Sequence, residues 1–343
     1  MTRTASKSKG ARMVDVAALA GVSQQTVSRV VNNAHNVSPD IRERVQTAIE
    51  QLRYRRNTAA AALASSRTMN LGVVSYALSV HGPSVALFGI SEQARLNGYS
   101  TRLVTLGELD HRSIRSALNE LSADEVDGVI VLAPLYAALE VLRGLESDVP
   151  VVTFEQGSPA SATSVSIDEV RGARLAVGHL LDLGHDTVWH IEGPQGWLAT
   201  DARRRGWAEE LSSRGKALPP VVKTADWSAL AGYRAGLQLA EHPEVTAVFA
   251  ANDPFALGAV KAFDEKGLSV PGQISVVGFD NVAESAYFRP ALTTVYLDFE
   301  EIGRRAVEQI LALMRREESQ PIPLIVPSLI VRDSAAKPLR RAE

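Results

Sequence analysis

Residues 14–32 read VDVAALAGVSQQTVSRVVN, and this stretch decides how the rest of the chain is interpreted. Apolar residues recur at helical spacing on both sides of Gly21, which predicts two short helices joined by a tight turn. Gly21 permits the positive φ that such a turn needs, and Ser23 is placed to cap the second helix through its hydroxyl. The pattern is that of a helix-turn-helix.

The second helix, over residues 24–32, presents polar side chains in its first two turns. Gln24 and Gln25 come first, and Arg29 follows one turn later. An amide side chain can form two hydrogen bonds with one base edge, so this helix suits the DNA major groove. The alternative is an ordinary helical hairpin on a protein surface, and the residues on either side favour DNA binding over it.

Charge is distributed unevenly along the 343 residues. Residues 1–67 hold 11 Lys and Arg against 4 Asp and Glu, a net charge of +7, whereas the remainder carries −10. Basic side chains gain affinity by displacing counterions from phosphates, so we expect only the N-terminal part to approach a polyanion. Nucleic acid is favoured over a membrane surface, because residues 14–52 resemble a compact helical domain more than one amphipathic helix.

Several classes of protein are disfavoured by what the sequence lacks. There is no cysteine, which excludes disulfides, thiolate catalysis and Cys-ligated zinc. There is no continuous apolar run of about 18 residues and no apolar signal-peptide core, so we expect a cytoplasmic, nucleoid-associated protein without membrane contact. No nucleophile elbow, HExxH, P-loop or GxGxxG occurs, and we expect no catalytic residues, metal or cofactor.

The segments around the helix-turn-helix complete a small N-terminal domain. Residues 1–12 hold four basic and no acidic residues and are expected to form a disordered basic arm. Ser38, as an N-cap, and Pro39, at the first helical position, predict the start of a third helix, which completes a DNA-binding headpiece over residues 13–56. Residues 57–67 contain good helix formers but no face wide enough to bury, so they are either a hinge helix that needs a partner or a plain linker.

From Asn70 the sequence alternates between apolar strands and amphipathic helices. The predicted strands are 71–76, 101–106, 127–132, 151–154, 165–167, 188–191, 247–250 and 276–279, and the first predicted helix covers 84–97. This alternation predicts an α/β core, residues 68–336, of two doubly wound parallel-sheet subdomains. We expect the chain to cross between them near 155–165 and 285–295. Residues 321–331 are expected to form edge strands or crossings, and 337–343 a tail.

Polar side chains follow several predicted strands. Asn252 and Asp253 follow one strand, Asp280 follows another, and Glu155 a third. Ligands of open parallel sheets bind beyond the carboxyl ends of the strands, so these groups, with Arg203 and a flat wall from Trp227, predict a site for a hydroxyl-rich ligand. The alternative for Asn252 and Asp253 is that each merely caps the following helix.

These motifs resemble the lactose-repressor family of bacterial transcription regulators over almost the whole chain. The most specific segments are DVAALAGVSQQTVSRVVN and VSPDIRERVQTAIEQLRY. Further similar segments are GVVSYALSVHGPS, HLLDLGH, DWSALAGY, AANDPFALGAV, ISVVGFDN and PALTTVYLDF. The resemblance implies a headpiece, a hinge helix and a two-subdomain core like that of periplasmic sugar-binding proteins.

The resemblance also implies which residues contact DNA. Gln24, Gln25 and Arg29 match the base-reading positions, with Thr26, Ser28 and Asn32 nearby. In the hinge, Asn57 and Leu63 match a helix whose leucine enters the minor groove at the operator centre. Arg56 departs from the family's usual proline, which leaves the start of the hinge helix less fixed.

The residues implied to bind the ligand lie in the core. They are Val80, Pro83, Glu155, Arg203, Trp227, Asn252, Asp280 and Phe299. Three nearby positions depart from the pattern: Glu155 replaces an aspartate, Pro254 a glutamine and Trp197 a serine. These changes retain the hydroxyl-binding trio of Arg203, Asn252 and Asp280, but they affect which aglycone or second sugar fits.

The expected protein is a repressor of sugar-utilisation genes. A homodimer would bind palindromic operator DNA and be released by a small-molecule sugar effector, with a galactoside favoured. The C-terminal residues contain no heptads, which favours a dimer over a tetramer. The alternatives are a regulator of the same fold with a corepressor such as a purine, a solute-binding protein, and a sugar-processing enzyme.

Overall fold

A computed structural model of the chain describes residues 11–31, 36–54, 67–108, 110–123, 126–143, 147–155, 161–317 and 320–339. The chain divides into two compact units, residues 1–68 and 69–343. Within the described ranges, none of the helices has the length and apolarity needed to cross a membrane. Parts of the expected basic arm (1–10), hinge (55–66) and tail (340–343) lie outside these ranges.

The described part of the N-terminal unit contains three helices: α1 (Met13–Ala20), α2 (Gln24–Val31) and α3 (Pro39–Gln51). Gly21 follows α1 with φ +65°, and the backbone N–H of Thr26 donates to Ser23 Oγ at 3.1 Å, so both predicted turn features are confirmed. Ser38 precedes α3, but its side chain makes no capping hydrogen bond; there the expected cap was wrong. Val16, Val27 and Val45, one from each helix, are fully buried and form the centre of this small core.

The first subdomain of the C-terminal unit is built on a five-stranded parallel sheet. Its strands are β1 (Asn70–Tyr76), β2 (Ser100–Leu106), β3 (Gly128–Leu132), β4 (Val151–Phe154) and β5 (Ser164–Val165), in the order β2-β1-β3-β4-β5. The intervening helices are α4 (His81–Leu96), α5 (His111–Ala123) and α6 (Tyr136–Arg143). Strand β3 is buried along its whole length, as expected for a parallel strand covered on both faces.

The second subdomain contains a six-stranded sheet in the order β11-β10-β9-β8-β6-β7. Its strands are β6 (Trp189–Glu192), β7 (Val222–Lys223), β8 (Ala247–Ala250), β9 (Ser275–Asp280), β10 (Thr293–Tyr296) and β11 (Ser328–Ile330). Its helices are α7 (Glu169–Asp182), α8 (Leu198–Ser213), α9 (Ala229–Leu239) and α10 (Asp253–Glu265), with a 3₁₀ helix at Ala283–Tyr287. All pairs are parallel except β10 with β11.

The two doubly wound sheets confirm the predicted fold class, but the crossings between them are displaced from the predicted positions. Strand β5 pairs with β4 in the first sheet, so the first crossing comes after Val165. The chain returns after β10 as α11 (Phe299–Met314), which packs on α4, and crosses a third time to form β11. Short apolar runs such as 165–167 do not reveal which sheet they join, because pairing is decided by distant strands. The helix expected at 84–97 begins earlier, at His81.

Candidate functional site

Helix α2 separates its polar and apolar residues onto opposite faces. Gln24, Gln25 and Arg29 are exposed, whereas Val27 and Val30 are buried in the three-helix core. The outward face therefore combines two amides with a guanidinium on a helix that the rest of the unit holds in place. This combination can form hydrogen bonds with base edges and phosphates.

The remaining predicted DNA-contacting residues fall into two groups. Thr26 and Ser28 are half-buried, and Thr26 Oγ1 lies 2.9 Å from Ser23 Oγ at the start of α2. Asn32, Asn57 and Leu63 lie outside the described residues. The described headpiece thus presents Gln24, Gln25 and Arg29 as its exposed polar set on α2.

A cavity of about 440 Å³ lies between the two subdomains of the core, beyond the carboxyl ends of their strands. The first subdomain contributes Tyr76, Ser79, Val80 and His81 to its lining. The second contributes Pro194, Trp197, Ala225, Asp226, Trp227, Ser228, Asn252, Pro254 and Asp280. Its size and position are those of a small-molecule site at the edge of parallel sheets.

A buried charge network underlies the second subdomain's side of the cavity. Arg203, only 2% exposed, donates from Nε to Glu169 Oε2 at 2.7 Å and from Nη2 to Asp280 Oδ1 at 3.1 Å. Its Nη1 donates to the carbonyl oxygen of Ala251. Burial opposes the charged form of Arg203, but the attraction of Glu169 and Asp280 outweighs it, so the pKa of the guanidinium is raised.

Asn252 combines a capping role with a place in the cavity wall. Its Oδ1 accepts from the backbone N–H of Phe255 at 2.8 Å, which caps α10, and its Nδ2 donates to the carbonyl of Trp227 at 3.2 Å. The amide is therefore fixed in orientation before any ligand arrives. The capping interpretation of Asn252 and its position in the cavity are compatible.

Asp253, by contrast, faces away from the cavity. Its carboxylate accepts hydrogen bonds from Thr294 Oγ1, Ser285 Oγ and the backbone N–H of Val282. Burial is the main reason why the pKa of Asp253 is raised to about 7, and the charge of Asp280 adds to the effect. Asp253 thus ties α10 to the segments that follow β9.

Aromatic rings form the apolar wall of the cavity. Trp227 stacks on Phe255 with ring centroids 5.6 Å apart and meets Trp197 edge to face at 5.5 Å. Trp197 in turn lies 6.1 Å from Tyr76 of the first subdomain. Flat apolar faces of this kind suit the C–H surface of a sugar or a flat ring.

The segment around Trp197 also connects the two subdomains through its backbone. Leu135 and Trp197 form an antiparallel bridge. The N–H of Leu198 donates to the carbonyl of Pro134 at 2.9 Å, and the N–H of Tyr136 donates to that of Gly196 at 3.2 Å. Trp197 therefore lines the cavity with its ring and joins the subdomains with its backbone.

The structure brings only some of the predicted ligand residues to the cavity surface. Val80, Trp227, Asn252 and Asp280 line it. Pro83 is buried in the first turn of α4, and Glu155 accepts a hydrogen bond from Thr153 Oγ1 at 2.6 Å. Arg203 lies behind Asp280, and the buried Phe299 lies behind His81, with ring centroids 5.8 Å apart.

Other residues at or behind the cavity were missed from the sequence. Tyr76 reads as the end of an apolar strand, and Ser79 as an ordinary loop serine. Glu169 reads as an acidic residue in the first turn of a helix, where the helix dipole favours it. Only Asp226, within the polar stretch before Trp227, carried a usable signal.

The fold and the cleft together define a class of protein: a helix-turn-helix transcription regulator with a ligand-binding core. A family model for "Bacterial regulatory proteins, lacI family" matches residues 12–57, and one for "Periplasmic binding protein-like domain" matches residues 177–335. The chain belongs to the lacI family of bacterial regulatory proteins.

Its relatives resemble it over nearly their whole length. The lactose operon repressor of Escherichia coli (strain K12) is 34% identical over 333 residues, which are 96% of this chain and 92% of the relative. The transcriptional repressor PurR of Erwinia tasmaniensis is 34% identical over 339 residues, 95% of this chain and 97% of the relative. Since these relatives are transcriptional repressors, the chain is a DNA-binding regulator and not an enzyme.

Solved structures agree with this assignment. The Lac repressor dimer bound to operator and the anti-inducer ONPF is similar with a TM-score of 0.82 and 33% identity, covering 96% of this chain and 100% of that one. A complex of the transcriptional regulator CelR with cellobiose is similar with a TM-score of 0.69 and 29% identity, covering 95% of this chain and 100% of that one.

Proposed function

We propose that this regulator is a repressor of sugar-utilisation genes, released from its operator by a sugar or glycoside, with a galactoside as the first candidate. The observation that carries the proposal is the cavity in which Asn252 and Asp280 stand beside the ring of Trp227. Sugars offer hydroxyl groups that donate and accept, together with an apolar face that packs on aromatic rings. The cytoplasm, at the nucleoid, is where such a repressor would act.

The DNA-binding surface of the proposal is the outward face of α2. Gln24, Gln25 and Arg29 would read bases, and Thr26, Ser28 and Asn32 would contact the backbone or neighbouring bases. Asn57 and Leu63 would belong to a hinge helix at the operator centre. The net charge of +7 over residues 1–67 supports this placement, because phosphate contacts supply much of the affinity for DNA.

A homodimer on a palindromic operator completes the DNA-binding proposal. The Lac repressor in the similar structure is a dimer bound to operator. In this chain, Phe88 and Leu96 on α4 are 63% and 65% exposed, and Leu103 on the edge strand β2 is 45% exposed. Exposed apolar side chains beside an open sheet edge suit burial against a second copy.

Ligand binding in the cleft would change the relation between the subdomains and so the affinity for operator. Val80, Trp227, Asn252 and Asp280 would contact the ligand directly. Pro83, Glu155, Arg203 and Phe299 would support the groups that do. A coupling of about 1–3 kcal/mol between ligand and operator is expected for such a system.

A purine corepressor is the second candidate ligand. Two observations favour it: a flat ring fits the aromatic wall of Trp197 and Trp227, and repressors named PurR are among the relatives. The two candidates differ in sign, since a sugar inducer weakens operator binding whereas a corepressor strengthens it.

Operator binding with and without candidate ligands tests the proposal. Fragments selected from genomic DNA by the purified protein would be titrated in the presence of a panel of sugars and purines. Release of the operator by a sugar supports the proposal. If a purine tightens operator binding and no sugar changes it, the corepressor alternative replaces the proposal. Failure to prefer any genomic fragment over random duplex would refute the DNA-binding part.

The division of roles between headpiece and core is tested by Arg29→Ala. This variant should weaken specific operator binding by about 1–3 kcal/mol, the usual worth of a base contact, while leaving ligand affinity unchanged. Arg205→Ala, which removes the same charge from the exposed face of α8, is the control and should leave both unchanged. Equal losses of DNA and ligand binding in Arg29→Ala would contradict separate roles.

A further inference from the structure

We propose that Glu169 makes the cleft selective for uncharged ligands, by occupying the guanidinium of Arg203 and leaving the floor of the cleft with a net negative charge. Phosphorylated and carboxylated sugars are thereby excluded. This inference rests on the proposed function only in taking the cleft as the ligand site.

Glu169 lies in the first turn of α7 and is completely buried. Its two carboxylate oxygens accept from two different nitrogens of Arg203, Oε2 from Nε at 2.7 Å and Oε1 from Nη2 at 3.4 Å. A carboxylate and a guanidinium facing each other in this two-pronged manner are both ionised. The edge of the guanidinium that carries Nε and Nη2, which could otherwise bind a phosphate, is therefore already bound to Glu169.

The third nitrogen of Arg203, Nη1, and a further N–H of Nη2 are also engaged by the protein. Nη2 donates to Asp280, and Nη1 donates to the carbonyl of Ala251. Arginine binds phosphate and carboxylate ligands through a fork of parallel N–H groups. In this chain the fork is committed to Glu169, and Asp280 is the member of the network that reaches the cavity.

The charges around the cavity agree with this assignment. Asp226 and Asp280 both line it, and hydrogen bonds from the side chain and backbone of Ser228 lower the pKa of Asp226. Among the described lining residues there is no lysine or arginine, and His81 is the one basic side chain. The buried Glu169 and Asp280 outnumber the single guanidinium of Arg203, and the exposed Asp226 adds a third carboxylate at the cavity surface. An anionic ligand entering this space meets repulsion, which water screens least at the buried Asp280.

Carboxylates also select ligands by hydrogen-bond type. An ionised carboxylate only accepts, so a ligand group beside Asp280 must donate. Hydroxyl groups of a neutral sugar can donate, whereas a phosphate dianion cannot. Charge and hydrogen bonding thus both disfavour a phosphate or carboxylate group beside Asp280, and charge alone acts against such a group elsewhere in the cavity.

The charge selectivity can be measured without knowing the ligand, through quenching of tryptophan fluorescence. Replacing Trp189 and Trp207 by Phe leaves Trp197 and Trp227, both in the cavity wall. Iodide, acrylamide and caesium would be compared at constant ionic strength, each quenching constant divided by that of N-acetyltryptophanamide. We expect the iodide value to be at least about threefold below those for acrylamide and caesium, because the local potential repels anions. Equal values for iodide and caesium would overturn the proposal.

Glu169→Gln tests the residue itself. The glutamine is similar in shape but uncharged, so relative iodide quenching should rise at least about twofold. Glu210→Gln is the matched control: Glu210 is also nearly buried and paired with arginines, on α8, but its partners are Arg174 and Arg214. The control should retain the wild-type ratio, and the same rise in both variants would overturn the role of Glu169. If Glu169→Gln does not fold, the wild-type ratio of iodide to caesium still tests the negative potential that the proposal requires, and equal values overturn it.

A ligand panel separates this inference from the proposed function. Neutral methyl glycosides and the corresponding sugar 6-phosphates would be titrated calorimetrically against the full chain. We expect at least about tenfold weaker binding of each phosphate, a factor that Glu169→Gln reduces. Phosphates that bind as tightly as neutral sugars overturn the inference. If no sugar binds while iodide remains excluded, the sugar proposal fails and the charge selectivity stands.

Discussion

The two walls of the cleft differ in how firmly their side chains are held. On the wall of the second subdomain, Asn252 and Asp280 are only 3% and 6% exposed, and the protein's own hydrogen bonds fix them. The wall of the first subdomain comes from residues 76–81, where Ser79 is exposed and Val80 and His81 are half-buried. The polar groups of the second wall are thus held in place without a ligand, whereas the first wall consists of the end of β1, a loop and the start of α4.

This contrast suggests a division of work during binding. Groups that are already oriented lose little entropy when a ligand arrives, so the second wall can determine which ligand is recognised. The first wall can adapt and close over the ligand, which is what a signal passed between subdomains requires.

Arg203→Ala should produce the largest loss of stability. It leaves Glu169 and Asp280 as buried carboxylates without their partner, and breaking such a network costs about 3–5 kcal/mol. Urea unfolding of the variant and the wild type measures the difference. Arg205→Ala, two residues further along α8 and exposed, should cost less than about 0.5 kcal/mol. Similar losses of unfolding free energy in the two variants would show that the network of Arg203 does not hold the second wall in place.

The pH dependence of unfolding should show two opposing contributions from beneath the second wall. The pKa of Asp253 is raised from its ordinary 3.8 to about 7, so the stability it contributes is complete below pH 3.8 and is lost as the pH rises through 7. The pKa of His190 is lowered from 6.5 to about 4, chiefly by burial, so its contribution is present above pH 6.5 and is lost as the pH falls through 4.

These contributions oppose each other between pH 4 and 6.5, and two variants separate them. In Asp253→Asn, only the pH dependence contributed by His190 should remain. The unfolding free energy should then fall by about 3 kcal/mol as the pH drops from 6.5 to 4. In His190→Phe, only the contribution of Asp253 should remain, so the unfolding free energy should fall as the pH rises from 4 to 7. Thermal denaturation across this range measures both. The same slope in both variants would rule out the assignment of the two groups.

Tryptophan and tyrosine substitutions compare the two walls in binding. Trp227→Leu removes the stacked ring of the second wall and should weaken binding of the releasing ligand by about tenfold. Tyr76→Leu, on the first wall, should weaken it by only about twofold, because an adaptable wall can repack. Isothermal titration measures both affinities. A larger loss from Tyr76→Leu would reverse the comparison.

Ser79→Ala should have the smallest effect. The exposed hydroxyl should contribute less than about 0.5 kcal/mol to stability, whereas Asn252→Ala removes the cap of α10 and should cost about 1 kcal/mol. Urea unfolding measures both values. If Ser79→Ala were the more damaging variant, the first wall would be more firmly held than its exposure indicates.

The sequence predicts best what local chemistry decides. Gly21 and Ser23 mark the turn of the headpiece because a positive φ and an N-cap depend on neighbouring residues. The apolar runs predicted β1 and β3 well, because strands buried on both faces have few alternatives. The displaced crossings show the limit of such prediction. Strand β5 belongs to the first sheet because it pairs with β4, and its own sequence does not reveal that pairing.

The cleft shows the same limit at the level of single residues. Asn252 and Asp280 could be placed at the cavity because Asn252 lies two residues after β8 and Asp280 is the last residue of β9. Arg203 could be named, but its partners Glu169 and Asp280 are 34 and 77 residues away, so its engagement by the protein was not predictable. The departure at Trp197 could be noticed, but its contact with Tyr76 required the folded chain.

The backbone bridge between Leu135 and Trp197 has a consequence for how motion in the core can be observed. The amide protons of Tyr136 and Leu198 are held in hydrogen bonds that span the two subdomains. Such protons exchange with deuterium only when the bond that protects them is broken. Deuterium uptake at these two amides therefore reports how often the subdomains part on this side of the cleft, and a ligand that holds them together would slow it.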